Sequence, residues 1–107
     1  MKIKITKADG TGNNFIIAYD NTNHELIKPQ IQNICSHFKT DGLLLISDYK
    51  NYNYKMDYFN NDGSWETMCA NGARCAALFM FQKKMVNQNI SFMAGDGAHQ
   101  IKFYKSL

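Results

Sequence analysis

The amino-acid sequence predicts an α+β fold, a curled, mostly antiparallel or mixed sheet wrapped round a central helix. Three observations lead there. Short runs that alternate apolar and polar residues recur along the chain between polar turns. The stretch from Cys69 or Ala70 to Lys84 carries apolar residues on more than one helical face, as a largely buried helix would. A length of 107 residues, with no repeat, low-complexity segment or linker, suffices for one hydrophobic core and no second. One domain over residues 1–107 is therefore expected.

Each element has its own local reason. Residues 2–7, Lys-Ile-Lys-Ile-Thr-Lys, alternate strictly and predict a strand with Ile3 and Ile5 facing inward. The loop from Ala8 to Asn14 holds Gly10 and Gly12, which suit a hairpin turn or the close approach of backbone to a ligand. It is not a nucleotide loop, since the third glycine and the following helix are missing. Phe15–Tyr19 follows as a strand and residues 20–24 as a polar loop. Pro29 to Phe38 fits a helix of about ten residues, with proline in its first turn and Ile31, Ile34, Cys35 and Phe38 on one stripe. Cys35 is then a core residue, and His37 lies off the stripe.

After the Asp41-Gly42 turn, Leu43–Ile46 reads as a strand buried on both faces, and Tyr54–Phe59 as an aromatic strand that delivers Asn60 to its end. In the central helix, alanines at 70, 73, 76 and 77 allow close approach, while Leu78, Phe79, Met80 and Phe81 fill the wider end. Lys83, Lys84 and Asn87 mark its exit. Residues 89–93 and 99–104 make two more strands across the Gly95-Asp96-Gly97 turn.

Composition excludes more than it selects. Twelve Lys plus Arg against nine Asp plus Glu give a formal charge of +3, but eleven of the twelve are lysines scattered along the chain. Nucleic-acid binding would need a basic patch interleaved with exposed aromatics, so it is not expected. No segment reaches the ~18 apolar residues of a membrane span, so no membrane partner is expected either. Cys35, Cys69 and Cys75 form no disulfide framework, and with no signal-like start the cytoplasm is the expected compartment. The spacing of Cys69 and Cys75 lacks partner ligands, so no metal site is expected.

The chemistry concentrates between Phe59 and Cys75. A polar turn leads to Cys69 at the mouth of the central helix, where unpartnered first-turn amides and the helix dipole favour negative charge and so a thiolate base or nucleophile. Asn60, Asn71 and those amides could hold a carboxylate or ammonium group against it.

Gly10-Thr11-Gly12-Asn13-Asn14-Phe15, Asp41-Gly42-Leu43-Leu44 and the block from Phe59 to Cys75, with its Cys-x-Asn-Gly-x-Arg-Cys core, together resemble the amino-terminal domain of the diaminopimelate epimerase family, in order and approximate spacing. The resemblance implies half of a two-lobed fold. It implies a cofactor-independent epimerisation of LL- and meso-diaminopimelate, in lysine and peptidoglycan-precursor synthesis, by two cysteines acting on opposite faces of the α-carbon. It makes Cys69 the catalytic cysteine of this lobe. Asn13, Asn60 and Asn71 would bind substrate, and the amides of Ala70, Asn71 and Gly72 would help hold its α-carboxylate.

It also implies a carboxy-terminal domain, with a second cysteine, that these 107 residues do not hold, so the isolated chain is expected to be inactive. An apolar rim uncovered by that lobe would favour a homodimer. Three positions depart from the family pattern: Asn14 stands where aspartate is usual, Ala70 where glycine is usual, and Gly42 where some members carry glutamine. An epimerase or racemase-like domain for another amino acid, and a non-catalytic ligand-binding module, are the alternatives left open.

Overall fold

The structure, a computed structural model, describes residues 4–9, 12–19 and 26–103. Its elements in chain order are β1 (Lys4–Asp9), β2 (Asn14–Tyr19), α1 (Lys28–Phe38), β3 (Gly42–Ser47), β4 (Tyr54–Asn60), β5 (Trp65–Glu66), α2 (Ala70–Gln82), β6 (Asn89–Ala94) and β7 (Gly97–Lys102). The expected inward Ile3 and the loop at 20–24 lie outside the described residues. The pair Trp65–Glu66 is a strand the alternation did not show, because two residues carry no period.

The sheet runs β1-β2-β3-β4-β6-β7, with β5 paired to β4. β1 and β2 form an antiparallel hairpin in register Asp9↔Asn14, β2 and β3 are parallel, β3 and β4 antiparallel, β4 and β6 parallel, and β6 and β7 antiparallel. The two parallel pairs need crossover connections, which α1 and α2 supply. Both crossovers step the same way across the sheet on strands of opposite direction, so two right-handed connections put their helices on opposite faces.

The core accordingly falls in two. Against α2 pack Phe15, Ile17, Leu44, Ile46, Tyr54 and Met56 with Ala73, Ala76, Ala77 and Met80. Against Ile31 and Cys35 of α1 pack Ile16, Ala18, Leu43 and Leu45. Successive residues of β2 and β3 thus point into different cores, which is why Phe15–Ala18 and Leu43–Ile46 are apolar without a break. Pro29 opens α1, Gln30 Oε1 accepts from the Ile27 N–H at 3.0 Å, and Lys39 closes the helix in the left-handed region at φ 54°. Cys35 is buried on the α1 stripe and His37 exposed, as the period requires.

Three expectations need correction. The sheet is open and does not wrap round α2: it is the middle of three layers, because β2 and β3 must be covered on both faces. For the same reason α2 buries only one side. Gly72, Ala73, Ala76, Ala77 and Met80 are buried, but Leu78 is 45% and Phe81 39% exposed, and neither fills the core. Likewise Ile5 is 37% exposed, since β1 is an edge strand whose contribution to the core is Ala8.

A ring stack joins the last three core strands. Tyr54 lies parallel to Phe92 at 5.4 Å and Phe92 nearly parallel to His99 at 5.3 Å, following the cross-strand register. The Tyr54 hydroxyl is buried and has no hydrogen-bond partner among the described residues, and burial pushes the phenol well up from its ordinary 10.0. A buried unpaired hydroxyl costs stability, so Tyr54→Phe, which keeps the stack, is expected to raise the unfolding free energy by ~1 kcal/mol in urea titration. Because the folded value lies above 10.0, stability is intact below that pH and falls as pH rises through it. The alkaline fall should therefore be smaller in the variant, and an equal fall in both proteins would contradict the assignment.

Candidate functional site

The site is built at one end of the sheet, where β2 and β3 begin and β4 ends. Gly42 of β3 sits between Phe15 of β2 and Asn60 of β4 in the register. A Cβ on Gly42 would come within 2.6 Å of the Phe59 carbonyl oxygen and 2.7 Å of the Tyr58 ring. The absent side chain is what lets Tyr58 lie across β3 and meet Phe15 edge-on at 6.1 Å. Gly42 thus shapes the floor of the site.

Cys69 is the N-cap of α2, with extended backbone at φ −137° and ψ 114°, and its Sγ accepts from the Gly72 N–H at 3.4 Å. A thiol has replaced the usual hydroxyl or carboxamide cap, so a first-turn amide of the helix points at sulfur. That engagement separates the three amides expected at the helix mouth. Gly72 serves the thiol, whereas the amides of Ala70 and Asn71 precede the helix's own ladder, which begins with the Ala73 N–H on the Cys69 carbonyl at 2.8 Å. Gly72 also lets the helix descend onto the sheet, since a Cβ there would meet Leu44 Cδ2 at 2.8 Å.

The amino-terminal loop reaches this mouth directly. Asn71 Nδ2 donates to Asn13 Oδ1 at 2.9 Å across 58 residues of sequence, and Arg74, one turn along α2, donates to Asn71 Oδ1. Asn13 and Asn71 are therefore brought together beside Cys69, with Asn71 clamped from both sides. Asn14 points elsewhere. Its N–H donates to Asp41 Oδ2 at 3.0 Å, its Oδ1 accepts from the Asp41 N–H at 3.1 Å, and its Nδ2 donates to the Lys39 carbonyl at 3.4 Å. The residue that stands in place of the usual aspartate clasps the start of β2 to the turn before β3.

Asn60 stands at the end of β4, held by three hydrogen bonds. Tyr58 Oη donates to its Oδ1 at 3.0 Å, and its Nδ2 donates to Ser64 Oγ and to Glu66 Oε1, both at 3.1 Å. The Tyr58 phenol is pushed up by burial and then by the negative charge of Cys69, Glu66, Asp41 and Cys35. Cys75, six residues beyond Cys69, is partly buried against the α2 core, and burial first, then the Cys69 charge, pushes its thiol up. It packs rather than facing the mouth. No group of three His, Cys, Asp or Glu side chains able to hold a metal occurs among the described residues.

Sequence reasoning missed Tyr58, Glu66 and Arg74. Tyr58 could have been found from the strand period, which puts residues 56, 58 and 60 on one face. Arg74, three residues from Asn71, could have been found from the helix period. Glu66 had no such signal, because its approach to Asn60 depends on the fold-back through β5.

This architecture is shared with solved proteins of distant sequence. The phenazine biosynthesis PhzF-family protein of Enterococcus faecalis superposes with a TM-score of 0.80 over 98% of this chain and 42% of that one, at 14% identity. A putative phenazine biosynthesis PhzC/PhzF protein of Clostridium difficile gives 0.72 over 94% and 40%, at 12% identity. By fold, the chain is an α+β domain of the architecture seen in these proteins. It belongs to the diaminopimelate epimerase family, whose model matches residues 5–106.

Two curated relatives show the extent of the match. The diaminopimelate epimerase of Flavobacterium psychrophilum is 36% identical over 103 residues, covering 91% of this chain and 40% of the relative. That of Helicobacter pylori is 34% identical over 91 residues, covering 83% and 33%. The chain thus spans less than half the length of these relatives.

The Asn13–Asn71 bond makes a measurable coupling. Asn13→Ala and Asn71→Ala are each expected to destabilise the chain, and the double variant to cost less than their sum by about 0.5–1.5 kcal/mol in urea unfolding. Simple additivity would show that loop and helix mouth are independent.

Proposed function

We propose that this chain is the amino-terminal half of a cofactor-independent diaminopimelate epimerase of the cytoplasm. It serves lysine and peptidoglycan-precursor synthesis, and is inactive without the second lobe that the resemblance implies. The observation that carries this reading is Cys69 capping α2 with the Gly72 N–H on its sulfur, in a chain that matches the family model over residues 5–106.

The chemistry follows from the geometry. The α-proton of an amino acid is a weak acid, and its loss sends an electron pair toward the α-carboxylate. Amides already aimed at that carboxylate lower the barrier without reorganising. With the substrate carboxylate at the Ala70 and Asn71 amides and Asn13 alongside, Cys69 thiolate takes the proton: the C–H bond breaks and an S–H bond forms. Inversion requires a proton delivered to the opposite face, the part assigned to the cysteine of the second lobe. Leu78, Phe81 and Met85, exposed on and just beyond α2, give an apolar surface on which a homodimer or that lobe can seat.

An electrophilic diaminopimelate analogue should label Cys69 and spare Cys35 and Cys75, with peptide mass spectrometry as the readout. An adduct on Cys75 with Cys69 unmodified would overturn the assignment. The purified 107-residue chain should form no meso isomer from LL-diaminopimelate. Turnover abolished by Cys69→Ser would show that one lobe suffices. In sedimentation velocity the chain should self-associate with rising concentration and Leu78→Glu should remove the association; a strictly monomeric chain would contradict the docking surface.

A further inference from the structure

We propose that Glu66 determines specificity in this site: together with Asn60 it makes the β4 end of the site accept hydrogen bonds only, so that end receives an ammonium group of the ligand and turns away a carboxylate. The inference rests on the epimerase reading only in calling that ligand an amino acid.

The orientation of the Asn60 amide is settled by its three partners. Ser64 Oγ gives its one hydrogen to Asp62 Oδ1 at 2.6 Å and so can only accept from Asn60. Glu66 is a carboxylate and can only accept. Tyr58, a half-buried phenol whose pKa burial raises, is the donor to Asn60 Oδ1. Nδ2 therefore faces Ser64 and Glu66, and both of its hydrogens are spent. What Asn60 can still offer a ligand is one lone pair on Oδ1.

Glu66 adds to the same wall. One oxygen holds Asn60 and the other remains as an acceptor on an exposed side chain. Among the described residues Glu66 takes part in no ion pair; those found are Lys55 with Asp57 and His99 with Asp96. A ligand carboxylate brought to this wall would meet a carboxylate and find no donor on Asn60. An ammonium group would meet two acceptors and one full negative charge, an arrangement that makes charge-assisted bonds. The helix mouth offers the reverse, with amide donors and a positive dipole end. The two ends of the site thus have opposite polarity, as the zwitterion of an amino acid does.

The test is side-chain amide NMR on the ¹⁵N-labelled full chain, titrated separately with propylammonium chloride and sodium propionate. Propylammonium should shift the Asn60 amide pair saturably and propionate should not. Glu66→Gln keeps an oxygen for Asn60 Nδ2 while removing the charge. It should weaken the propylammonium response about tenfold, the loss of one charge-assisted bond, with the backbone spectrum confirming the fold. A saturable propionate shift at Asn60, no propylammonium shift, or a response unchanged in Glu66→Gln would each overturn the proposal. None of these outcomes depends on Cys69, whose labelling tests the epimerase reading separately.

Discussion

Strands β2 and β3 are buried on both faces, and the rest of the molecule depends on that constraint. A strand with Phe15, Ile16, Ile17 and Ala18 all near 1% exposure or below needs a covering layer on each side. The β2–β3 crossover supplies α1 on one face. The β4–β6 crossover, on strands of opposite direction, supplies α2 on the other. The sheet is then held flat enough to serve two helices, and its edges at β1 and β7 stay apart. Small residues follow from the same demand: Gly72, Ala73, Ala76 and Ala77 bring the start of α2 down onto Leu44 and its neighbours.

That descent is also what makes a site. Pressing the first turn of α2 onto the middle of the sheet sets Cys69 beside the ends of β2 and β4, the elements that present Asn13 and Asn60. Each candidate side chain is then fixed by another: Asn71 by Asn13 and Arg74, Asn60 by Tyr58, Ser64 and Glu66, and Cys69 Sγ by the Gly72 N–H. The proton transfer at carbon proposed for this site would gain most from groups that need not move at the moment of reaction. Preorganisation and packing are here the same interactions.

Much of the fold is legible residue by residue. The two-faced run Leu43–Ile46, the stripe of α1, a hairpin turn after β6 and the exit of α2 at Lys83 all follow from period and turn chemistry, although the turn is only Gly95-Asp96 and β7 already begins at Gly97, two residues before the expected 99. Curling failed as an expectation because period reports which residues are apolar and not how many layers cover them. Leu78 and Phe81 failed for a related reason: an apolar residue on a second helical face is equally consistent with a core and with an exposed docking surface. Ile5 alternates like a core residue, yet an edge position leaves it open.

By itself the sequence determined the local elements, the placing of Cys69 at a helix mouth, and membership of a family through three motifs in order. These depend on residues near one another in the chain, where backbone preference, capping and period act. Only the tertiary structure decided which donors and acceptors remain for a ligand. Asn13 meets Asn71 across 58 positions, Asn14 turns away to clasp Asp41, and Glu66 folds back through β5 to take a hydrogen of Asn60. A hydrogen bond needs both partners within about 3 Å and aligned, and at such separations that alignment is set by strand register and helix packing.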